Sequence, residues 1–283
     1  MSKIINGKEI SQSVKDKIKE ETAQLKSKGI VPGLAVIIVG EDPASQVYVR
    51  NKEKACEALG MFSEKTELPE STTEEELLEI IDKLNKRNDI DGILCQLPLP
   101  SHINEKSVID AISPDKDVDA FHPQNVGKIV INDYDFLPCT PAGIMEMLKY
   151  ENIDTAGKEC VIIGRSNIVG KPMSLLMLHA DSTVTVCHSK TVNLQEVTKR
   201  ADILIVAIGK AEYVTADMVK EGAVVIDVGM NRNDGKLVGD VKYDEVSKKA
   251  SYITPVPGGV GPMTIAMLMK NTLTASKKHN GIK

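Results

Sequence analysis

A lysine on the apolar side of a helix is the first residue in this sequence whose placement points to chemistry. Over residues 44–59, at about 100° per residue, Tyr48, Lys52, Ala55, Cys56 and Leu59 share one face, while Arg50, Glu53, Lys54 and Glu57 gather on the opposite arc. A helical lysine ordinarily keeps its ammonium in water from the edge of an apolar stripe. Lys52 instead lies near the centre of the stripe, one turn after Tyr48. Partial burial lowers a lysine pKa toward neutrality and lets the amine act as a general acid or base. Gln96 closes the apolar run 92–97 and is followed by Pro98 and Pro100, which stop a strand from running on. A terminal amide there can orient a neighbour, although a solvent-facing glutamine fits the spacing equally well. The loop 113–119 carries Asp115, Asp117 and Asp119 and reads first as a charged surface turn. It lacks the spacing of a calcium loop and any nearby histidine pair, so no metal is expected.

A second cluster follows the apolar run 159–163: Gly164-Arg165-Ser166-Asn167-Ile168-Val169-Gly170-Lys171-Pro172. Glycine at a strand-to-helix turn lets backbone N–H groups approach a pyrophosphate at a helix N-terminus. Serine replaces the middle glycine of the usual fingerprint, so this string alone reads equally as a structural turn. The next run, 183–187, ends in His188-Ser189-Lys190, with no carboxylate for a ribose 2′-hydroxyl. A hydroxyl and a cation there suit a 2′-phosphate, and Arg165 offers a bidentate clamp. That combination favours NADP over NAD. Ala207-Ile208-Gly209 and Asp227-Val228-Gly229-Met230 place further glycines just beyond two more apolar runs. Ligands lie along such carboxyl edges in open parallel sheets.

Both clusters require a scaffold of short buried strands alternating with helices. Apolar runs at 34–39, 92–97, 159–163, 183–187, 202–208 and 223–228 alternate with helical patterns at 8–28, 44–59, 73–88, 142–151, 170–180 and 193–200. Several runs are apolar throughout, as parallel strands covered on both faces are. Thr73 followed by Glu76 reads as a capping box. The pattern predicts doubly wound α/β architecture. The rhythm breaks between about Ser113 and Pro141, where the domain junction is expected.

Composition narrows the function classes. With 283 residues the chain is long for one core. It has no Trp, three Phe and six Tyr, which leaves little for base stacking, and its net charge of -5 argues against a nucleic-acid backbone as partner. Five scattered cysteines form no CxxC pair and fit reduced thiols. The N-terminal residues contain no apolar signal-like run, and no stretch approaches a membrane span, so a soluble cytoplasmic protein is expected.

Taken in order, the strings Tyr48-Val49-Arg50-Asn51-Lys52, Gln96-Leu97-Pro98-Leu99-Pro100, Lys116-Asp117-Val118-Asp119, Pro138-Cys139-Thr140-Pro141, the 164–172 loop, Cys187-His188-Ser189-Lys190 and Pro257-Gly258-Gly259-Val260-Gly261-Pro262-Met263-Thr264 span almost the whole chain. The sequence closely resembles the bifunctional methylenetetrahydrofolate dehydrogenase/cyclohydrolase family. One departure is Ala120, where the family usually has glycine. The resemblance implies two α/β domains with a cleft between them: an N-terminal folate-binding catalytic domain over 1–122, joined by a closing helix at about 265–283, and a Rossmann-like NADP-binding domain over 123–264. It implies NADP-dependent oxidation of methylenetetrahydrofolate to the methenyl compound, then hydrolysis to formyltetrahydrofolate. In this reading Lys52 is the cyclohydrolase group, Gln96 tunes and positions it, Tyr48 lines the folate pocket and Asp119 anchors the pterin. Gly164, Arg165, Ser166, Ser189, Met230 and Thr264 fall to the cofactor side. Family members are usually homodimers. Three competing readings are a monofunctional dehydrogenase, a different Rossmann oxidoreductase and a non-catalytic NADP sensor. Lys52 with Arg165 and Ser189 argues against the first, the folate-side strings against the second, and the retained lysine–glutamine pair against the third.

Overall fold

The structure is a computed structural model that describes residues 2–233 and 235–282. In chain order the elements are β1 (Lys3–Ile4), α1 (Gly7–Lys26), β2 (Gly33–Val39), α2 (Pro43–Leu59), β3 (Phe62–Leu68), α3 (Glu74–Asn85), β4 (Gly92–Cys95), α4 (Glu105–Ala111), α5 (Pro123–Val130) and α6 (Cys139–Tyr150). There follow β5 (Glu159–Ile163), α7 (Gly170–His179), β6 (Thr183–Cys187), α8 (Leu194–Thr198), β7 (Ile203–Val206), β8 (Val224–Asp227), β9 (Asn231–Asn233), β10 (Lys236–Val238), α9 (Tyr243–Val246), β11 (Tyr252–Ile253) and α10 (Val260–His279). The expected α/β class is what forms. All six anticipated strands are present, and the capping box on α3 closes with both reciprocal hydrogen bonds.

The chain divides into two compact units. One comprises the residues up to Gln12 with Thr140–Thr264; the other comprises Ser13–Cys139 and the residues from Ile265 onward. The sequence expectation put the junction at 122/123, some way before Cys139. The intervening residues are tied to the unit of Lys52 by side-chain hydrogen bonds. Asn125 Nδ2 donates to Pro114 O and to Asp117 Oδ2, and Asn271 Nδ2 donates to Leu137 O.

The unit of Lys52 is built on a parallel sheet in the order β3-β2-β4. Every residue of β2 is buried, as a central strand covered on both faces requires. Residues of α10 complete this unit: Cys56 Sγ lies 3.5 Å from Met269 Sδ, Lys277 pairs with Glu21, and His279 Nδ1 is 2.9 Å from Asp91 Oδ1.

The other unit carries a fully parallel sheet in the order β1-β11-β8-β7-β5-β6. β5 stands between β6 and β7, so the strand order reverses there, and the crevice outside the carboxyl ends of β5 and β7 is the switch point where such sheets hold ligands. Val161, Ile163, Leu204, Val206, Val225 and Ile253 form its apolar core. Among the described residues, no helix is long and apolar enough to cross a membrane.

Candidate active site

In the unit of Lys52, α2 begins at a cap in which Asp42 accepts from Ser45 N at 2.8 Å with Pro43 in the first turn, and it ends on Gly60 at φ 72°. The helix presents the face read from the sequence: Val49, Ala55, Cys56 and Leu59 are buried, and Lys52 retains only 9% of its surface. Lys52 Nζ donates to Gln96 Oε1 at 2.9 Å. Gln96 follows β4, its own N–H donates to Ile37 O, and its Nε2 donates to Leu97 O at 2.6 Å. That second bond fixes the amide so that its oxygen faces the amine. Burial pushes the Lys52 pKa down, while Asp119 and Cys139 oppose the shift. Tyr48, one turn earlier, is half-buried, and burial raises its phenol pKa.

Asp119 joins this group. Its carboxyl is pushed up by burial and pulled back by Lys52, and Cys139 Sγ lies 3.6 Å from its Oδ1. The site thus gathers a lysine with weakened affinity for its proton, an amide that orients it, and a carboxyl that feels its charge. Cys139 entered the sequence reading only as part of a string. Its closeness to Asp119 is set by Asn271, whose Nδ2 donates to Val118 O at 2.8 Å and to Leu137 O at 2.9 Å.

The loop before Asp119 corrects the surface-turn reading. Asp117 is 3% exposed and accepts from His122 N and Asn125 Nδ2, each at 2.8 Å. Lys116 is buried as well, donating to Leu84 O and Arg87 O. Only Asp115 behaves as a surface charge, pairing with Lys278 at 3.0 Å. Hydrogen bonds inside the unit, invisible in local sequence, offset the burial of these groups. Ala120 adopts φ 57°, a left-handed conformation that costs a residue with a Cβ about 1 kcal/mol and glycine nothing. The glycine usual at this position in the family has its explanation there.

In the other unit the 164–170 loop follows β5. Gly164 adopts φ 129°, and a Cβ on it would stand 2.2 Å from Ala207 O; one on Gly170 would stand 2.2 Å from Gly164 O. Backbone is packed directly on backbone at the switch point, and only glycine fits. Ser166 Oγ accepts from Val169 N at 3.2 Å and Gly170 N at 3.3 Å, folding the loop into the start of α7. Among the described residues, nothing accepts a hydrogen bond from the N–H groups of Arg165, Ser166 or Asn167. Unpaired N–H groups at a helix N-terminus suit a pyrophosphate. Arg165, Ser166, Ser189 and Lys190 are exposed, and Met230 keeps 44% of its surface. Thr264 Oγ1 lies 3.0 Å from Thr140 Oγ1. The assignment of Met230 and Thr264 to the cofactor rests on the sequence strings.

Two buried carboxylates beside this edge were not singled out from the sequence. Asp227, the last residue of β8, accepts from Gly229 N, Asp240 N and Val241 N, each at 2.9 Å. Burial raises its pKa to about 6 against these three hydrogen bonds. With the folded value above the ordinary 3.8, the carboxyl stabilises the fold most fully below pH 4, and that contribution is lost as pH rises through 6. The span amounts to at most about 3 kcal/mol. Urea midpoints of the wild-type protein, taken relative to Asp227→Asn, should therefore decline between pH 4 and pH 7. A difference that stays flat with pH would show that Asp227 titrates normally.

Comparisons with known proteins cover both units. Residues 5–119 match the family model described as tetrahydrofolate dehydrogenase/cyclohydrolase, catalytic domain, and residues 138–280 match the corresponding NAD(P)-binding domain. The chain is 62% identical over 277 residues to the bifunctional protein FolD of Acetivibrio thermocellus, covering 98% of this chain and 97% of that protein. It is 59% identical to the Bacillus anthracis protein of the same name, covering 97% and 96%. Among solved structures, the bifunctional FolD of Campylobacter jejuni superposes with a TM-score of 0.96 at 52% identity, covering 98% of this chain and 99% of that one. The Trypanosoma brucei dehydrogenase-cyclohydrolase, complexed with NADP cofactor and an inhibitor, superposes at 0.94 and 40% identity, covering 98% of each.

Proposed function

The chain belongs to the tetrahydrofolate dehydrogenase/cyclohydrolase family, and from that premise we infer how its residues divide the work. It is a bifunctional enzyme that oxidises 5,10-methylenetetrahydrofolate to the methenyl compound with NADP and hydrolyses that product to 10-formyltetrahydrofolate. The single observation that carries the assignment of roles is the hydrogen bond from buried Lys52 to an amide that is itself locked in orientation.

In the first step, bound NADP supplies the chemistry by accepting the hydride that leaves the one-carbon bridge. The chain's part is to hold both partners. The glycine-lined turn at 164–170, with its free N–H groups, fits the pyrophosphate, and Arg165 and Ser189 fit a 2′-phosphate. On the folate side, Asp119 receives the pterin N–H groups and Tyr48 lines the ring.

The oxidised bridge is a cation, and a permanent ammonium beside it would be repelled. Burial lowers the Lys52 pKa and so favours the amine over the ammonium there. Its hydrogen bond to Gln96 Oε1 aims the nitrogen and leaves the lone pair for a proton. Water adds to the bridge carbon, and Lys52 takes a proton from it. As the bond from the bridge carbon to one ring nitrogen breaks, Lys52 returns its proton to that nitrogen, and the remaining hydroxyl proton passes to solvent as the formyl C=O forms.

The test follows methenyl and formyl products separately, with NADP and with NAD. Formyl product with NADP supports both activities; methenyl accumulation without accelerated hydrolysis leaves a dehydrogenase alone. We expect Arg165→Ala to lower kcat/KM with NADP by about 10- to 100-fold, the loss of a charge-assisted clamp, and to leave the slower NAD reaction nearly unchanged. An equal fall with both cofactors would remove Arg165 from 2′-phosphate recognition. We further infer a cytoplasmic homodimer from the family resemblance. Light scattering on the purified protein measures the oligomeric state, and a monomer at micromolar concentration would refute that part.

A further inference from the structure

The strings Asp227-Val228-Gly229 and Gly239-Asp240-Val241 hold the same three residue types in different order, and the structure packs each aspartate against the other's glycine. A Cβ on Gly229 would stand 2.3 Å from the Asp240 carboxyl, and one on Gly239 would stand 1.8 Å from Asp227 Oδ2. The two glycines are therefore the space in which two carboxylates are buried, Asp227 at 4% exposure and Asp240 at 0%.

Asp240 spends its acceptors on backbone beyond two strand ends. Its Oδ2 accepts from Ile208 N at 2.7 Å and Gly209 N at 3.0 Å, and its Oδ1 accepts from Lys210 N at 2.7 Å. Its Oδ1 also accepts from Asn231 Nδ2 at 2.9 Å. Three consecutive N–H groups after β7 and the residue following Met230 after β8 thus converge on one carboxylate. Asp227 braces that carboxylate by accepting from Asp240 N, and Thr254 Oγ1 accepts from Asp227 N at 2.7 Å. The segment after β7 forms one wall of the switch-point crevice, because Ala207 O is the atom against which Gly164 packs. The N–H nest after β7 is filled by an internal carboxyl group, so the loop is set before any cofactor arrives.

We propose that Asp240, braced by Asp227, is a positioning residue for the dehydrogenase step, holding the segments after β7 and β8 in the shape that receives NADP. This rests on the cofactor reading above. The hydrolytic step has no redox partner, and its proposed groups, Lys52 and Gln96, belong to the other unit. The two activities of one protein therefore separate positioning from global folding.

Asp240→Asn places an amide among backbone N–H donors and removes one acceptor oxygen. The expected result is a rise of at least about tenfold in KM for NADP, with kcat changed by less than about threefold and hydrolysis of added methenyltetrahydrofolate within about twofold of wild type. Gly239→Ala, which displaces the brace without touching Asp240, is expected to give the same split to a smaller extent. An unchanged KM for NADP in Asp240→Asn would overturn the proposal. So would parallel loss of both activities in both variants, which would make the carboxylates a matter of folding alone. Failure of the wild-type protein to reduce NADP would instead overturn the cofactor reading.

Discussion

Lys52→Met is expected to oxidise methylenetetrahydrofolate and then stall, so that methenyl compound accumulates while formyl product appears only at the uncatalysed rate. Methionine nearly matches the length of the lysine stem, so the apolar face of α2 stays filled and the unit stays packed. What disappears is the amine that Gln96 holds at 2.9 Å. General acid–base groups contribute roughly 10²–10⁴-fold, and a loss on the order of 10³-fold in hydrolysis is the anticipated size. The dehydrogenase step needs no proton from Lys52 and should fall far less. Stopped-flow absorbance of methenyl decay reads this directly. Hydrolysis at the normal rate in Lys52→Met would take the lysine out of the mechanism.

Gly170→Ala should produce the opposite phenotype. Its new methyl group would have to occupy a point 2.2 Å from Gly164 O and 2.8 Å from Arg165 N. Both are backbone atoms, which cannot swing aside as a side-chain tip does. The start of α7 must then move off the loop by an ångström or more, and displacement of that size costs on the order of 10²-fold in a positioned reaction. We expect NADP reduction to fall by that factor and hydrolysis of added methenyl substrate to persist. Retention of NADP reduction within about twofold would mean that the loop does not carry the pyrophosphate.

Much of the scaffold was legible because buried parallel strands are apolar along their whole length, as in β2 and β7. β3 was not, because its sequence Phe-Ser-Glu-Lys-Thr-Glu-Leu has neither alternation nor an apolar run. Its seven residues become a strand by pairing in register with β2, a tertiary gain that local propensity does not record. α5 falls inside the 113–141 stretch where the strand–helix rhythm breaks, yet Pro123 suits a first helical turn and His122 caps it. At the site, Lys52 could be found because its helix face is anomalous. The burial of Asp117 and Lys116 could not, since their partners Asn125, Leu84 and Arg87 lie on other segments. The reciprocal Asp–Gly pair was present in the sequence as two strings of the same three residue types, but nothing short of the fold says that they meet.

The unit that carries Lys52 is assembled from two separated stretches of chain, with roughly 125 residues between Cys139 and Ile265 belonging to the other unit. During translation, at about 5–20 residues per second, the first stretch must wait roughly 6–25 s before Met269, Asn271 and His279 are synthesised. Until then the loop of Asp119 lacks the amide that holds Val118 and Leu137, and Cys56 lacks the sulfur beside it. The nascent folate unit is therefore obliged to remain incomplete while the nucleotide-binding sheet matures. A ribosome-stalled chain ending before residue 265 should bind nucleotide and show no capacity to open a methenyl ring.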